Sequence, residues 1–390
     1  MSKHVSLLLQ SLCVTILAFL LSYLVVYDIS SLPALSPLER ASDIEMSDIY
    51  NEVANQRAIS HLSKDIVLIG IDGCTRKEIA AVIDAVSWFG PRAIGLDVMF
   101  ANPSEDDTNL LSAIRECNNL VLPYNVVYDV DTKRFKSGVE SFFYPELEDK
   151  TVGVVNLAIS NTHNVVRQFK PTFEVNGIVV NNFSTEIAHM VDEDKYNTLI
   201  KRNNELENIC YPSIDFEKYT AEEIIDKSGS PRLEFEENIH DRIVLIGALN
   251  DLSDMHMVPI ASKIPGIYIH AYVLHTILNE SYISSLGVVE EWILAIIFCF
   301  VFAWLNLFIK RDSKWNNIEA LGLRFLQVLL LYGLLWVGSK WFISCNQYLD
   351  FSFSLIMVGL SALAADVWVG ICDVIKMIIQ KCKCNEKNRI

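Results

Sequence analysis

Apolar residues are concentrated at the two ends of the chain, in runs long enough to cross a membrane. Residues 5–27 carry no charge over 23 positions, and a helix rising about 1.5 Å per residue spans a hydrocarbon core of about 30 Å over that length. Three further apolar runs lie at 292–309, 321–343 and 351–375. The pattern therefore predicts four transmembrane helices. The alternative for the first run is a cleaved signal peptide, although the apolar core of such peptides is shorter, roughly 7–15 residues.

Between these ends, short apolar runs alternate with segments of helical spacing. The apolar runs are 66–71, 93–100, 119–123 and 242–249, and the helical segments are 75–89, 106–117, 183–192 and 265–279. Apolar strands separated by helices are typical of a parallel sheet that is covered on both faces. Residues 124–180 instead contain alternating strand-like pieces with turn residues between them, which indicates an inserted antiparallel portion.

These patterns predict a fold class and a division into domains. The fold class is an α/β extracytoplasmic domain, with a mainly parallel sheet flanked by helices, joined to an all-α transmembrane part of four helices. Pro33 and Pro37 end the first apolar helix, and residues 39–60 form a polar helix that is either a lever or a plain spacer. The predicted division is an anchor helix at 1–27, a connector at 28–64, an external domain at 65–286, three transmembrane helices at 287–375 and a basic tail at 376–390.

Lys and Arg residues beside the apolar runs predict the orientation. Lys310, Arg311 and Lys314 lie between the second and third runs, the tail is basic, and the loop 344–350 has no Lys or Arg. Both termini are therefore expected in the cytoplasm, with residues 28–286 outside.

Two charged residues lie within the apolar runs and need a partner or a path to water. Arg324 is about one turn into the third run, and Asp366 lies two to three turns from the cytoplasmic end of the fourth. Because an unpaired charge in a membrane is costly, a contact between Arg324 and Asp366 is a natural expectation. Snorkelling with ordinary helix packing is the plainer alternative, and a proton or signal relay is a third.

Acidic residues are concentrated in the middle of the chain, as apolar residues are at its ends. Mean hydropathy is +0.28 and hydrophobic residues make up 51% of the chain, yet the net charge is −16. Residues 28–286 hold 21 Lys and Arg against 40 Asp and Glu, a net charge of −19. Such a domain repels phosphate, so nucleic acid and anionic lipid are not expected partners.

The search for catalytic motifs is negative. The chain contains no GxGxxG, Walker, HExxH or GxSxG pattern, and its His residues do not have metal-ligand spacing. Cys74, Cys117 and Cys210 of the external block are expected to be buried apolar thiols. We therefore expect no enzyme activity, no cofactor and no metal site.

Carboxylates at strand ends are the candidate ligand-binding groups. Asp72 follows the run 66–71, Asp97 lies at the expected strand end within the run 93–100, and Asp254 follows the last run. Ligands of open α/β sheets bind beyond the carboxyl ends of the strands, where these side chains, with Arg167 as a counter-charge, could hold a ligand. The alternative is structural: each Asp caps the next helix and Arg167 forms an ion pair.

Two histidines lie on the apolar helix that closes the external block. His270 and His275 are expected to pack in the core or at the surface. A pH-sensing role is the alternative, because His changes charge near neutral pH.

Five stretches occur in an order that resembles a known sensory family. They are IVLIGIDGCTRKEI (66–79), WFGPRAIGLDVMFANPSEDD (88–107), GVVNLAISNTHNVVRQF (153–169), NIHDRIVLIGALNDLSDMHMVPI (238–260) and PGIYIHAYVLHTIL (265–278). Together they resemble the second type of CHASE domain, an extracellular sensor associated with bacterial cyclases and histidine kinases, over roughly 35–280.

The resemblance implies a sensor or receptor subunit in the bacterial inner membrane, with a periplasmic domain that detects an unknown small-molecule or protein signal. Family members usually continue into a cytoplasmic enzyme, whereas 376–390 is too short to fold into one. The expected output is therefore a separate membrane or cytoplasmic protein, and a homodimer is possible by analogy. The main alternative is a structural or scaffolding subunit of an envelope complex. Transport is a third class, with little support from the apolar runs.

Overall fold

The computed structural model describes residues 3–25, 46–57, 60–138, 146–159, 165–259, 262–285, 287–312, 316–345, 347–348 and 351–387. The chain divides into two compact units, one made of residues 51–283 and the other of residues 1–50 with 284–390. Pro33 and Pro37 of the predicted connector lie outside the described residues.

The first unit is a mixed α/β body. Its strands are β1 (His61–Gly70), β2 (Ala93–Asp97), β3 (Leu120–Tyr124), β4 (Val126–Asp129), β5 (Arg134–Ser137), β6 (Val152–Val154), β7 (Ala158–Ile159), β8 (Val166–Phe169), β9 (Thr172–Val175), β10 (Ile178–Asn181), β11 (Glu207–Asn208), β12 (Ile214–Thr220), β13 (Ile243–Gly247), β14 (Met255–Val258) and β15 (Ser262–Pro265). Its helices are α3 (Arg76–Trp88), α4 (Asp107–Glu116), α5 (Phe183–Val191), α6 (Glu193–Arg202), α7 (Ala221–Ile224), α8 (Glu236–Ile239) and α9 (Gly266–Leu278), and α2 (Met46–Arg57) leads into it.

A six-stranded sheet in the order β12-β1-β13-β2-β3-β6 forms the centre of this body. Every neighbouring pair in it is parallel. Strand β13 therefore lies between β1 and β2, with Gly70 opposite Gly247 and Gly247 opposite Asp97. The predicted parallel sheet is confirmed, and its three central strands end in one row.

Alternate residues of the central strands enter two separate cores, because successive side chains of a strand point to opposite faces. Ile69, Ile94 and Ile246 pack with α3, α4 and α7 on one face. Leu68 and Leu245 pack with α5 and α9 on the other. All five side chains are fully buried, which explains why these strands are apolar runs without alternation.

Helix α3 shows how local sequence fixes an element. The Thr75 side chain accepts a hydrogen bond from the Glu78 backbone N–H, and the Glu78 carboxylate accepts one from Thr75 N at 2.7 Å. This reciprocal cap satisfies two donors that a helix start leaves without partners. Gly90, at φ +72°, follows the helix end in a backbone conformation that favours glycine.

The antiparallel portion is confirmed, but its membership differs from the expectation in one strand. One sheet has the order β10-β9-β5-β4, another has the order β11-β8-β7, and β14 pairs with β15. Strand β6, expected within this portion, instead pairs in parallel with β3 and extends the main sheet. The sequence analysis also missed β12, because only its Phe216 side chain is buried and its apolar run is short.

In the described part of the second unit, four helices are long and apolar enough to cross a membrane: α1 (Lys3–Tyr23), α10 (Val288–Asp312), α11 (Asn316–Cys345) and α12 (Ser352–Lys387). Two short strands, β16 (Ser284–Ser285) and β17 (Gln347–Tyr348), pair in parallel beside them. Small residues such as Ala18, Ala303 and Ala364 are fully buried where α1, α10 and α12 meet. Such residues allow helices to approach closely in a membrane.

The two charged residues of the apolar helices have different surroundings. Arg324 Nη1 donates to Gln327 Oε1 at 3.1 Å, and Gln327 Nε2 donates to the Val358 carbonyl of α12. The Asp366 side chain is exposed on α12. A direct contact between Arg324 and Asp366 stays a prediction.

Gly153 in β6 allows α5 to approach the sheet closely, so Gly153→Ala is expected to lower the free energy of unfolding by about 2–3 kcal/mol. A Cβ at this position would lie 2.5 Å from Phe183 Cα, which is backbone and cannot rotate away. The comparison variant is Gly95→Ala, whose Cβ would meet the side-chain end Ile187 Cδ1 at 2.6 Å. A smaller loss is expected there. Urea unfolding of the full chain in detergent would measure both, and an equal or reversed order would contradict this account.

Candidate functional site

The carboxyl ends of β1, β13 and β2 lie side by side because these strands pair in register. Asp72 follows β1 by two residues, Asp97 is the last residue of β2, and Asp254 lies in the segment after β13. The parallel sheet thus brings these three predicted carboxylates to one edge, as expected for strand-end residues. Each of them has a different set of partners.

Asp72 joins two loops. Its exposed carboxylate accepts hydrogen bonds from the backbone N–H groups of Leu249 and Asn250, both at 3.0 Å. Thr75 caps helix α3, so Asp72 does not have the helix-capping role that the structural alternative assigned to it. It ties the turn after β1 to the turn after β13.

Asp254 holds the start of helix α9. Its Oδ2 accepts a hydrogen bond from Gly266 N at 3.0 Å, and its Oδ1 lies 3.0 Å from His256 Nε2. A carboxylate at a helix N-terminus is stabilised by the free N–H groups and the helix dipole. A Cβ at Gly266 would lie only 2.6 Å from Asp254 Oδ2, so this contact requires glycine.

Asp97 is half-buried at the end of the central strand β2. Loss of hydration raises the pKa of its carboxyl, the His270 charge lowers it, and the Asp254 carboxylate raises it again. Within the described residues, its carboxylate has no hydrogen-bond partner. Asp97 is therefore the strand-end carboxylate left available for a ligand or a proton.

His270 lies about one turn into α9 and is only 2% exposed. Ser184 Oγ donates to the His270 carbonyl at 2.9 Å and lies 3.5 Å from the ring Nδ1. The Phe183 ring meets the imidazole edge-on at 5.1 Å between centroids. Burial lowers the pKa of His270, whereas the charges of Asp97 and Asp254 raise it and that of His256 lowers it.

The sequence analysis had named His270 without placing it in the site. The available signal was its position four residues after Gly266, at the N-terminal end of a helix that follows an Asp-containing loop. Side chains four residues apart lie on one face of a helix, so a group at 270 lies above the helix start that Asp254 binds. His275 is half-buried further along α9, where burial lowers its pKa and Asp65 raises it.

Arg167 lies elsewhere in the antiparallel portion, on β8. Its carbonyl accepts a hydrogen bond from Ile209 N at 2.8 Å. Its guanidinium lowers the pKa of buried Tyr211, which burial and the Tyr272 hydroxyl raise. The charges that act on Asp97 are those of His270 and Asp254. A role for Arg167 as a counter-charge to the carboxylates stays a prediction.

A second polar cluster lies at the opposite, amino end of the sheet. Arg242 donates to the Ser63 carbonyl at 2.8 Å, to the Asn238 carbonyl at 2.9 Å and to the Glu217 carboxylate. These contacts tie the start of β1 and the segment before β13 to β12, so the cluster has a structural explanation. An open depression beside it is lined by His61, Leu62, Ser63, Lys64, Glu217 and Arg242.

The strand-end cluster of Asp97, Asp254, His256 and His270 can exchange protons and accept hydrogen bonds. In the described part of the chain, no group of three or more His, Cys, Asp or Glu residues is arranged to hold a metal ion. Cys74 is half-buried near Asp72, and burial and the Glu78 and Asp72 charges raise the pKa of its thiol. A raised thiol pKa disfavours the nucleophilic thiolate.

Asp72→Ala is expected to loosen the turn after β13, because two backbone N–H groups lose their acceptor. We expect a loss of about 1 kcal/mol in stability, since water reaches this exposed site and replaces part of the interaction. Hydrogen exchange at Leu249 and Asn250 should become faster. The control is Asp251→Ala, whose carboxylate binds Ser253 two residues further on. Unchanged exchange at 249–250 in Asp72→Ala would contradict the assigned role.

Comparison with known proteins identifies one family. The model of the CHASE2 domain matches residues 24–307. No curated protein and no solved structure matches the chain.

Proposed function

The chain belongs to the CHASE2 domain family, and from this premise we propose that it is a sensor subunit of the bacterial inner membrane. The family is one of extracellular sensory domains, and four helices of this chain are able to cross a membrane. In the proposal, residues 28–286 lie in the periplasm, both termini lie in the cytoplasm, and the periplasmic domain detects a signal.

The observation that carries the proposal is the strand-end cluster around Asp97. It lies at the edge of a parallel sheet where α/β domains bind ligands, and it contains a half-buried carboxylate without a hydrogen bond in the described structure. A signal that binds here acts on the sheet through Asp97 and on α9 through His270 and Gly266. To change the protein, the signal must bind two states of the domain with different affinity.

Helix α9 gives the cluster a covalent route toward the membrane helices. It ends at Leu278, and the membrane-spanning helix α10 begins at Val288. The intervening segment is held within the α/β unit, because Asn208 Nδ2 donates to the Ile283 carbonyl at 3.0 Å and Arg202 stacks on the Tyr282 ring at 4.4 Å. A displacement of α9 is therefore expected to act on the short segment that joins Leu278 to Val288.

The output step is proposed to use a separate membrane or cytoplasmic protein. The sequence contains no GxGxxG, Walker, HExxH or GxSxG pattern, and an extracellular sensory domain needs an effector on the other side of the membrane. A homodimer is proposed by analogy with sensors of this kind. A scaffolding role in an envelope complex is the alternative that the experiment must separate.

Crosslinking in the native membrane, followed by identification of the captured proteins, tests this function. A sensor should capture a signalling enzyme, and Asp97→Asn should keep that partner while changing the signalling output. Asp131→Asn is the matched control, because Asp131 is exposed on a distant turn and should behave as the unmodified chain. Capture of an envelope assembly without any signalling enzyme would favour the scaffold and overturn the proposal.

The orientation predicts a specific protease pattern. In spheroplasts, protease added outside should digest residues 28–286, and an epitope placed after residue 390 should be protected until the membrane is permeabilised. The reason is the excess of Lys and Arg at 310–314 and in the tail, which holds these segments in the cytoplasm. Digestion of the epitope in intact spheroplasts would reverse the assigned topology.

A further inference from the structure

The pairing of β1 with β12 is interrupted beside the open depression at the amino end of the sheet. Leu62 pairs with Asp215 and Val67 pairs with Glu217, so residues 63–66 of β1 face a single residue of β12. Extra residues of this kind bulge out of a strand and leave the regular ladder. The depression is therefore lined by side chains around a bulge and not by a closed pair of strands.

The depression is large enough for a small molecule. Its volume is about 690 Å³, and the sites of small ligands in proteins have volumes of roughly 300–1,000 Å³. Four of its six lining residues belong to the start of β1, so the bulge determines its shape. The lining residues are His61, Leu62, Ser63, Lys64, Glu217 and Arg242.

The acidic side chain of this lining, Glu217, is already neutralised. Its Oε2 accepts a hydrogen bond from Arg242 Nη1. Its Oε1 accepts hydrogen bonds from the Tyr219 hydroxyl and from Asn238 Nδ2, the latter at 3.2 Å. A carboxylate with three donors has little capacity left for a cation, so the depression is not built for a cationic ligand.

Arg242 has donors to spare. A guanidinium carries five N–H groups, and three of them donate to Glu217, to the Asn238 carbonyl and to the Ser63 carbonyl. The Nε N–H and one N–H of Nη2 have no acceptor among the described residues, and Nε is buried. The remaining Nη2 N–H is therefore the donor available to a ligand in the depression.

Lys64 supplies a positive charge whose neighbouring acids are engaged. Its side chain is exposed, and in the described part of the chain it forms no hydrogen bond or ion pair. Asp65 accepts a hydrogen bond from Arg92 Nη2 at 3.2 Å, and Asp215 accepts one from the Phe216 backbone N–H at 2.9 Å. The Lys64 ammonium is thus the uncompensated charge of the lining.

We propose that this depression binds a small organic carboxylate that has one negative charge and an apolar body. The carboxylate bridges Lys64 Nζ and the available N–H of Arg242 Nη2. The apolar body lies on Leu62, which is 55% exposed. A single negative charge matches the lining, because Glu217 neutralises Arg242 and Lys64 alone remains. The site goes beyond the proposed function, since it lies at the opposite end of the sheet from Asp97.

The acidic surroundings act on large anions more strongly than on this ligand. Residues 28–286 carry a net charge of −19, but at physiological ionic strength the field of a charge decays over about 8 Å. A nucleic acid or a lipid surface meets many carboxylates of the domain at once. A small carboxylate in the depression meets only the lining, where Lys64 and Arg242 are in contact with it.

The experiment is ligand-observed NMR of benzoate with the full chain in lipid nanodiscs, with empty nanodiscs as the blank. Benzoate has one carboxylate on an apolar ring, and benzamide has nearly the same shape without the charge. Saturable binding of benzoate above the blank is expected. Benzamide should bind about tenfold more weakly, because it cannot form the charge-assisted hydrogen bonds.

Variants of exposed side chains test the two halves of the ligand. Lys64→Gln should weaken benzoate binding about threefold to tenfold, whereas Lys64→Arg keeps the charge and should stay within about twofold of the unmodified chain. Leu62→Ala should weaken binding about twofold to threefold, because apolar contact is lost. Lys77→Gln is the matched control, because this exposed lysine of α3 lies outside the lining, and it should bind as the unmodified chain.

A second measurement uses only the unmodified chain and locates the ligand. Brief acetylation followed by mass spectrometry reports how accessible each lysine amine is. Benzoate should slow the acetylation of Lys64 severalfold and leave that of Lys77 unchanged, whereas benzamide at the same concentration should protect neither.

Three results would overturn the site: no saturable binding of benzoate above the blank, equal binding of benzamide, or equal effects at Lys64 and Lys77. None of them bears on the sensor function, which is tested by the captured partner and by Asp97→Asn. Conversely, benzoate binding that depends on Lys64 would stand even if crosslinking captured only an envelope assembly.

Discussion

The in-register pairing of β1, β13 and β2 is the constraint on which the rest of the structure depends. Gly70, Gly247 and Asp97 end in one row because all three strands are parallel and aligned. This alignment places the Asp72 and Asp254 loops at one edge of the sheet, where Asp254 binds the start of α9. A shift of one residue in β2 would turn Asp97 to the other face of the sheet, away from α9.

The strand-end carboxylates show how one residue type acquires three roles from its surroundings. Asp72, in water, binds two backbone N–H groups, and Asp254 binds a helix start. Asp97 has neither kind of donor, so its charge is the least stabilised of the three. In a domain whose net charge is −19, such a carboxylate is surrounded by a field that favours uptake of a proton or cation.

The sequence predicted the buried strands and their helices well, because a fully buried strand is a continuous apolar run and α3 has a complete capping box. It also predicted that Asp72, Asp97 and Asp254 meet at one edge. It did not predict β12, where only Phe216 is buried, since an edge strand with polar alternation resembles a loop. The prediction that β6 belongs to the antiparallel portion is wrong. A strand of three residues carries no signal that distinguishes parallel from antiparallel pairing.

The position of β13 has a consequence for how the chain assembles. Strands β1 and β2 are close in sequence but do not pair with each other, since β13 occupies the slot between them. That slot stays empty until residue 247 has been synthesised. During this interval two apolar strand edges are open to other chains, which is the condition under which strands aggregate. Closing the sheet also joins segments about 150 residues apart, and such non-local closure is slow. Folding of this domain is therefore a late event, completed only when most of the chain has left the ribosome.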